Sequence, residues 1–176
     1  MGKQYKILTK SDIEFIKQQK LFYIASCSGK EVNLSPKGYN TIKVIDETTL
    51  IFASYPGSGN RTYTDAANNG EFTIVFNAFE DKPMILRLFC KAKIIQKDDT
   101  NYEKYLNLFL IKESVIRNFF EFRIYAVESS CGMSVPIMKY VEDRDELKNW
   151  AVDMDGKGQL EAYNQKSFIP PDLSKI

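Results

Sequence analysis

Short runs of aromatic, β-branched and aliphatic residues recur at hairpin spacing along most of this chain, each pair divided by turn formers. Residues 21–26 (LFYIAS) and 31–34 flank Ser28-Gly29-Lys30. Residues 41–45 and 49–53 flank Asp46-Glu47, and residues 72–78 and 84–95 join through Glu80-Asp81-Lys82-Pro83. Residues 120–127 are β-like in composition although they alternate poorly. Pro36 cannot donate to a ladder and Gly38 tolerates positive φ, so Ser35-Pro36-Lys37-Gly38 predicts a bulge, bend or strand end.

Helical signals fall between these runs and at the ends. Ser11-Asp12-Ile13-Glu14 has the spacing of a capping box and predicts a helix over 12–19, with Ile13 and Ile16 on one face. A second short helix is expected over 62–69, stopping at Gly70. Tyr102, Tyr105, Leu106 and Phe109 give helical spacing to 101–111, and 142–163 reads as one helix broken near Asp155-Gly156. The end, 167–176, contains Pro170-Pro171 and is expected to be extended. This is not the alternation of a doubly wound sheet. It predicts a mainly β fold, an antiparallel six-stranded Greek-key or split barrel with peripheral helices. Residues 1–128 would form the barrel. Residues 129–176 would be a helical appendage packing on the barrel or on a second subunit.

Composition bounds the chemistry. The 176 residues carry 24 Lys+Arg against 23 Asp+Glu, a net charge of +1, which argues against nucleic acid or an anionic membrane as partner. Histidine is absent, so Ser-His-Asp and Cys-His catalysis, His-containing zinc sites and His-ligated haem are excluded. No metal site is expected: Asp153 and Asp155 lack the further ligands of a calcium loop, and the acidic run from Glu142 to Glu146 suits a solvated helix start. Three scattered cysteines without C-x-x-C spacing argue for reduced thiols. The polar start and the shortness of every apolar run complete the expectation of a soluble, cytoplasmic protein. Cys27 and Cys90 read as buried strand residues, and Cys131 as a loop thiol with no basic neighbour to activate it.

Two stretches point to ligand chemistry: Asn33-Leu34-Ser35-Pro36-Lys37-Gly38 and Pro56-Gly57-Ser58-Gly59-Asn60-Arg61. Each pairs kinked or flexible backbone with a cation, which is the make-up of an anion cradle and equally of a solvated turn. Arg61 opens a predicted helix, whose N-terminus would add to such a cradle. Arg87 sits in an apolar run and is read as an edge or dimer-interface ion pair in preference to a ligand-site arginine.

The order of these elements (SPKG, a hairpin, GNR, a short helix, then the strand Arg87-Leu88-Phe89-Cys90-Lys91-Ala92) resembles the pyridoxamine 5′-phosphate oxidase-like family of FMN-binding split barrels, over roughly residues 10–140. The stretch from Ser129 to Pro136, with Arg144, Leu147, Trp150 and Tyr163, is similar to one small branch of that family. The resemblance implies FMN held at a homodimer interface. Asn33, Leu34, Ser35, Pro36 and Lys37 match the strand along the flavin, and Ser54 a polar position near it. Asn60 and Arg61 match the pair facing the phosphate. Ser129 and Ser130 match a segment approaching from the other subunit. Many relatives carry two basic residues where this chain has Asn60-Arg61. Lys37 would compensate at the phosphate or tune the flavin from its pyrimidine side.

The resemblance therefore implies an FMN-dependent oxidoreductase acting on an unidentified small molecule. The alternatives are a non-catalytic flavin-binding or stress-related protein, a deazaflavin-dependent reductase, or a flavin-free module that kept the barrel. Vitamin B6 synthesis itself is not expected, because the true oxidases use a histidine and a C-terminal substrate segment that this chain lacks.

Overall fold

The computed structural model describes residues 2–57 and 59–165, so the extended end expected over 167–176 lies outside the described residues. Eight strands form one antiparallel sheet: β1 (Lys3–Tyr5), β2 (Phe22–Cys27), β3 (Asn33–Lys37), β4 (Ile42–Asp46), β5 (Thr49–Ser54), β6 (Glu71–Asn77), β7 (Ile85–Ile95) and β8 (Asn118–Ser130). Their order is β3-β2-β6-β7-β8-β5-β4, with β1 added to β8. The chain thus folds as a curled antiparallel sheet of the split-barrel kind, with eight strands where the sequence predicts six. Among the additions is β1, only three residues long and too short to show a period.

β8 organises the sheet. One edge lies along β7. The other takes β5 over Asn118–Arg123 and β1 over Val127–Ser129. Between Phe89 and Cys90 the β7–β8 register shifts, leaving Tyr125 as the extra residue of a bulge that bends the pair. The poor alternation of 120–127 now has a cause, because the first part of β8 is covered on both faces. Phe120 and Phe122 point into the main core, where they stack with Phe52 and pack on Phe72. Phe119 points the other way, against Tyr102, Tyr105 and Phe109 of a second cluster. That cluster is built by the short helix α3 (Tyr102–Leu106) and the turn after it.

α1 (Lys10–Gln18) starts two residues earlier than expected. Its capping box is Thr9 with Asp12, not Ser11 with Glu14. The Asp12 N–H donates to Thr9 Oγ1 at 3.2 Å, and the Thr9 N–H donates to Asp12 Oδ2 at 2.8 Å. Both pairs have capping spacing; Asp12 is the buried member, while Glu14 pairs with Lys17 in solvent. α2 (Arg61–Ala67) ends before Gly70, as expected. Gly70 is needed for close approach: a Cβ there would lie 2.6 Å from the carbonyl oxygen of Cys27. The predicted C-terminal helix is two, α4 (Glu146–Gly156) and α5 (Leu160–Gln165), broken where expected. They pack through Ala151 and Leu160 on Val115 in a 3₁₀ turn (Glu113–Val115), with Tyr55 and Trp150 around them. Among the described residues, no helix is long and apolar enough to cross a membrane.

Phe119 is wholly buried against three aromatic rings. Phe119→Ala is expected to cost about 3–5 kcal/mol of unfolding free energy, measured by urea denaturation; a loss below about 1 kcal/mol would show that α3 does not depend on this contact.

Candidate functional site

β3 is an edge strand paired only with β2. Such a position accommodates Pro36, which has no N–H for a ladder. Alternation turns Leu34 and Pro36 outward and half-buries Asn33, Ser35 and Lys37 on the other face. After Gly38 the chain reverses through Tyr39 and Asn40, with φ of 63° and 55°. The turn is held by the Thr41 hydroxyl, which donates to Gly38 O at 2.6 Å, and by the Ala53 N–H, which donates to Thr41 O at 2.8 Å. The end of β3 is thereby fastened to the end of β5, beside Ser54.

Asn33 bridges β3 to α2. Its Nδ2 donates to Ser26 Oγ at 3.0 Å and to Thr62 Oγ1 at 3.3 Å. Behind it lies buried Asp65, whose two oxygens accept from the Ser26 and Ser28 hydroxyls, each at 2.6 Å. Asp65 is one turn along from Arg61 but forms no ion pair with it. Arg61, half-buried at the first turn of α2, has no hydrogen bond or ion pair among the described residues.

Asn60 precedes α2 without capping it by its side chain. Its Oδ1 instead accepts from Nη1 of Arg117 at 3.0 Å. Nη2 of Arg117 donates to Gly57 O at 2.6 Å, and its backbone N–H donates to Ser54 O at 2.9 Å. Nε of Arg117 is buried without a partner, as is Oδ1 of the adjoining Asn118. Lys37 completes the group: its Nζ lies 6.0 Å from the centre of the Phe52 ring. Burial first, and the positive field of Arg117 second, pull its pKa below the usual 10.5. Burial also opposes the charge of Arg117.

The structure therefore brings Lys37, Ser54 and Asn60 around one point, and ties Asn33 to Thr62, the neighbour of Arg61, with Ser35 between Asn33 and Lys37 on β3. It adds Arg117, which the sequence analysis missed. Arg117 lies in no motif and is 56 residues further along the chain than Arg61. Only the β5–β8 pairing carries it there. A charged residue just before the phenylalanine-rich start of β8 was the available signal. Lys37 lies close enough to Arg117 to feel its charge, Arg61 is next in sequence to Asn60, which accepts from Arg117, and no carboxylate pairs with any of the three among the described residues. Unpaired cations of this kind are the chemistry that could hold an anion. On one side it meets an aromatic wall: Tyr39 and Tyr55 lie 5.6 Å apart, and Lys148 of α4 sits 4.3 Å from the Tyr39 ring.

Ser129 and Ser130 lie elsewhere. They end β8, whose 13 residues at about 3.3 Å each span roughly 40 Å, while Arg117 adjoins its beginning. They line a cavity of about 1150 Å³ with Phe15, Tyr39, Met84 and Tyr140, so that cavity shares Tyr39 with the wall beside the cradle. Arg87 lies beside them, donating to Ser130 Oγ at 3.0 Å and pairing with Glu128 at 3.4 Å. Its ion pair forms between two interior strands, not at a sheet edge. Cys90 is buried, and that burial raises its thiol pKa; Cys27 is half-buried and Cys131 exposed.

No family model matches the chain. It is 30% identical over 144 residues to the pyridoxamine 5′-phosphate oxidase family protein ustO of Aspergillus flavus, a match covering 79% of this chain and 58% of that protein. The chain thus spans little more than half the length of that relative. Among solved structures it is similar to a candidate pyridoxamine 5′-phosphate oxidase of Lactobacillus delbrueckii, with a TM-score of 0.55 and 18% identity over 70% of this chain and 98% of that one. It is also similar to HupZ of Group A Streptococcus, with a TM-score of 0.54 and 18% identity over 68% and 92%. A third likeness is to the FAD binding protein of Mycobacterium smegmatis, at 0.51 and 12% over 72% and 97%. These structures establish the fold, and the curated relative supports the pyridoxamine 5′-phosphate oxidase-like family.

Burial and the field of Arg117 both disfavour the charged form of Lys37 in the folded protein. A lysine with a lowered folded pKa makes the native state bind fewer protons than the unfolded chain between that pKa and 10.5. Stability from this group is therefore least below the folded pKa and recovers as pH rises through that window. Lys37→Met should raise the melting temperature of the ligand-free protein at neutral pH and flatten the alkaline recovery in a pH series of thermal melts. A lower melting temperature in the variant would mean that Lys37 is a structural residue.

Proposed function

We propose that this chain is a flavoprotein that holds FMN with its phosphate in the cradle of Lys37, Asn60 and Arg61, and that it works as an FMN-dependent oxidoreductase on a small molecule. The observation that carries this reading is the proximity of Lys37 to Arg117, next to Asn60 and Arg61, with no acid to neutralise these cations among the described residues, in a fold shared with a protein named for binding FAD.

The residues present suit the cofactor. A phosphate monoester needs positive charge and N–H donors, which Arg61 and the start of α2 supply. The flavin ring needs polar groups on one edge and apolar walls on the other. Asn33, Ser35 and Ser54 offer the first, and the Phe52 side of Lys37 begins the second. When bound, a flavin accepts hydride or electrons from a donor and passes them on. The task of the chain is then to hold and orient. Asp65 and Ser26 fix the Asn33 amide, the Thr41 turn fixes Lys37 beside Ser54, and Tyr39 with Tyr55 closes one side against water.

The position of Ser129 and Ser130 extends the proposal. They end β8, at the opposite end of that strand from Arg117, and in this proposal they serve the cradle of a second copy in a homodimer. This agrees with what the family resemblance implies.

The freshly purified protein, loaded with FMN and desalted, should keep flavin bands near roughly 370 and 450 nm. Arg61→Ala should weaken FMN binding about 10- to 100-fold, the effect of one charge-assisted hydrogen bond. A colourless protein that refuses FMN would overturn the proposal. In light scattering the loaded protein should have the mass of two chains with two flavins. A monomer holding one FMN would refute the shared site but not flavin binding.

A further inference from the structure

Arg117 is more than a brace for the turn after β5. Of the five N–H donors of a guanidinium, one meets Asn60 Oδ1 and one Gly57 O, both neutral acceptors, while Nε is buried with none. A turn can be held by a neutral donor. Here it is held by a permanent cation that is partly removed from water, beside a second cation, Lys37, in the same condition. Placing two such charges together without an acid costs stability in the free protein. Among the described residues no carboxylate pairs with Arg117. The cost is recovered when an anion arrives. A phosphate monoester is the anion that matches: it carries up to two charges, and its oxygens suit the planar fork of an arginine. A single carboxylate would leave Lys37, Arg61 and Arg117 in excess.

We propose that Arg117 determines the specificity of the cradle, pairing with the phosphate of a phosphorylated ligand and making the chain distinguish FMN from riboflavin. The identity of the ligand rests on the flavin reading above, whereas the phosphate site rests on the cations themselves.

The test compares FMN with riboflavin, which lacks the phosphate, by quenching of flavin fluorescence on the wild-type protein, Arg117→Met and Arg117→Lys. Arg117→Met should lose about 10- to 100-fold in FMN affinity with riboflavin affinity changed less than about threefold, and Arg117→Lys should recover part of the loss. Equal losses for both flavins would show that Arg117 only shapes the loop and would overturn the proposal, as would an unchanged ratio. Thermal shifts with inorganic phosphate separate this inference from the flavin reading. If the wild type binds no flavin but is stabilised by phosphate, and Arg117→Met is not, the phosphate site stands and the flavin reading falls. If neither flavin nor phosphate binds, both fall.

Discussion

Asn118–Ser130 is hydrogen-bonded along both edges and, in its first half, covered on both faces, and the remaining architecture depends on that strand. Because it pairs with β7 throughout and shares its other edge between β5 and β1, the sheet curls around it. Because its Phe residues alternate between two clusters, it joins the barrel core to the helical layer outside. The Tyr125 bulge lets so long a strand bend while keeping its ladder. The residues at its ends inherit fixed positions: Arg117 enters the cradle, and Ser129 and Ser130 line the cavity that also takes in Tyr39.

The cradle shows the opposite economy. Elsewhere the fold satisfies its buried charges. Asp65 takes two hydroxyls, Asp12 caps α1, and Glu121 accepts from Tyr105 and Arg123. Around Lys37, Arg61 and Arg117 no counterion stands among the described residues. Local departures from otherwise consistent packing are where function is sought, and this is where the elements that resemble the family converge.

Much of the architecture was legible because it rests on local signals. The hairpins between β2 and β3, β4 and β5, and β6 and β7 were marked by turn formers. The stop at Gly70 and the break near Gly156 were marked by their glycines. The cap of α1 was misplaced by two residues because two overlapping pairs have the same spacing, and only burial chooses Asp12. In the site, Asn60 and Arg61 stand in a glycine-rich loop and Lys37 in a kinked strand, so each announced itself. Arg117 did not, because strand pairing brings it there from a distant part of the chain. Leu34 and Pro36 were named with the site as members of a strand, but alternation sends their side chains to its outer face.

The length of β8 also bears on genetics. If each cradle is completed by the far end of another copy's β8, one chain damaged at Arg117 and another damaged at Ser129 and Ser130 are complementary. In a mixed dimer of the two, one site gathers both lesions and the other gathers none. Two individually inactive alleles would then restore up to half of the sites of each mixed dimer, an interallelic complementation that a self-contained monomeric site does not allow.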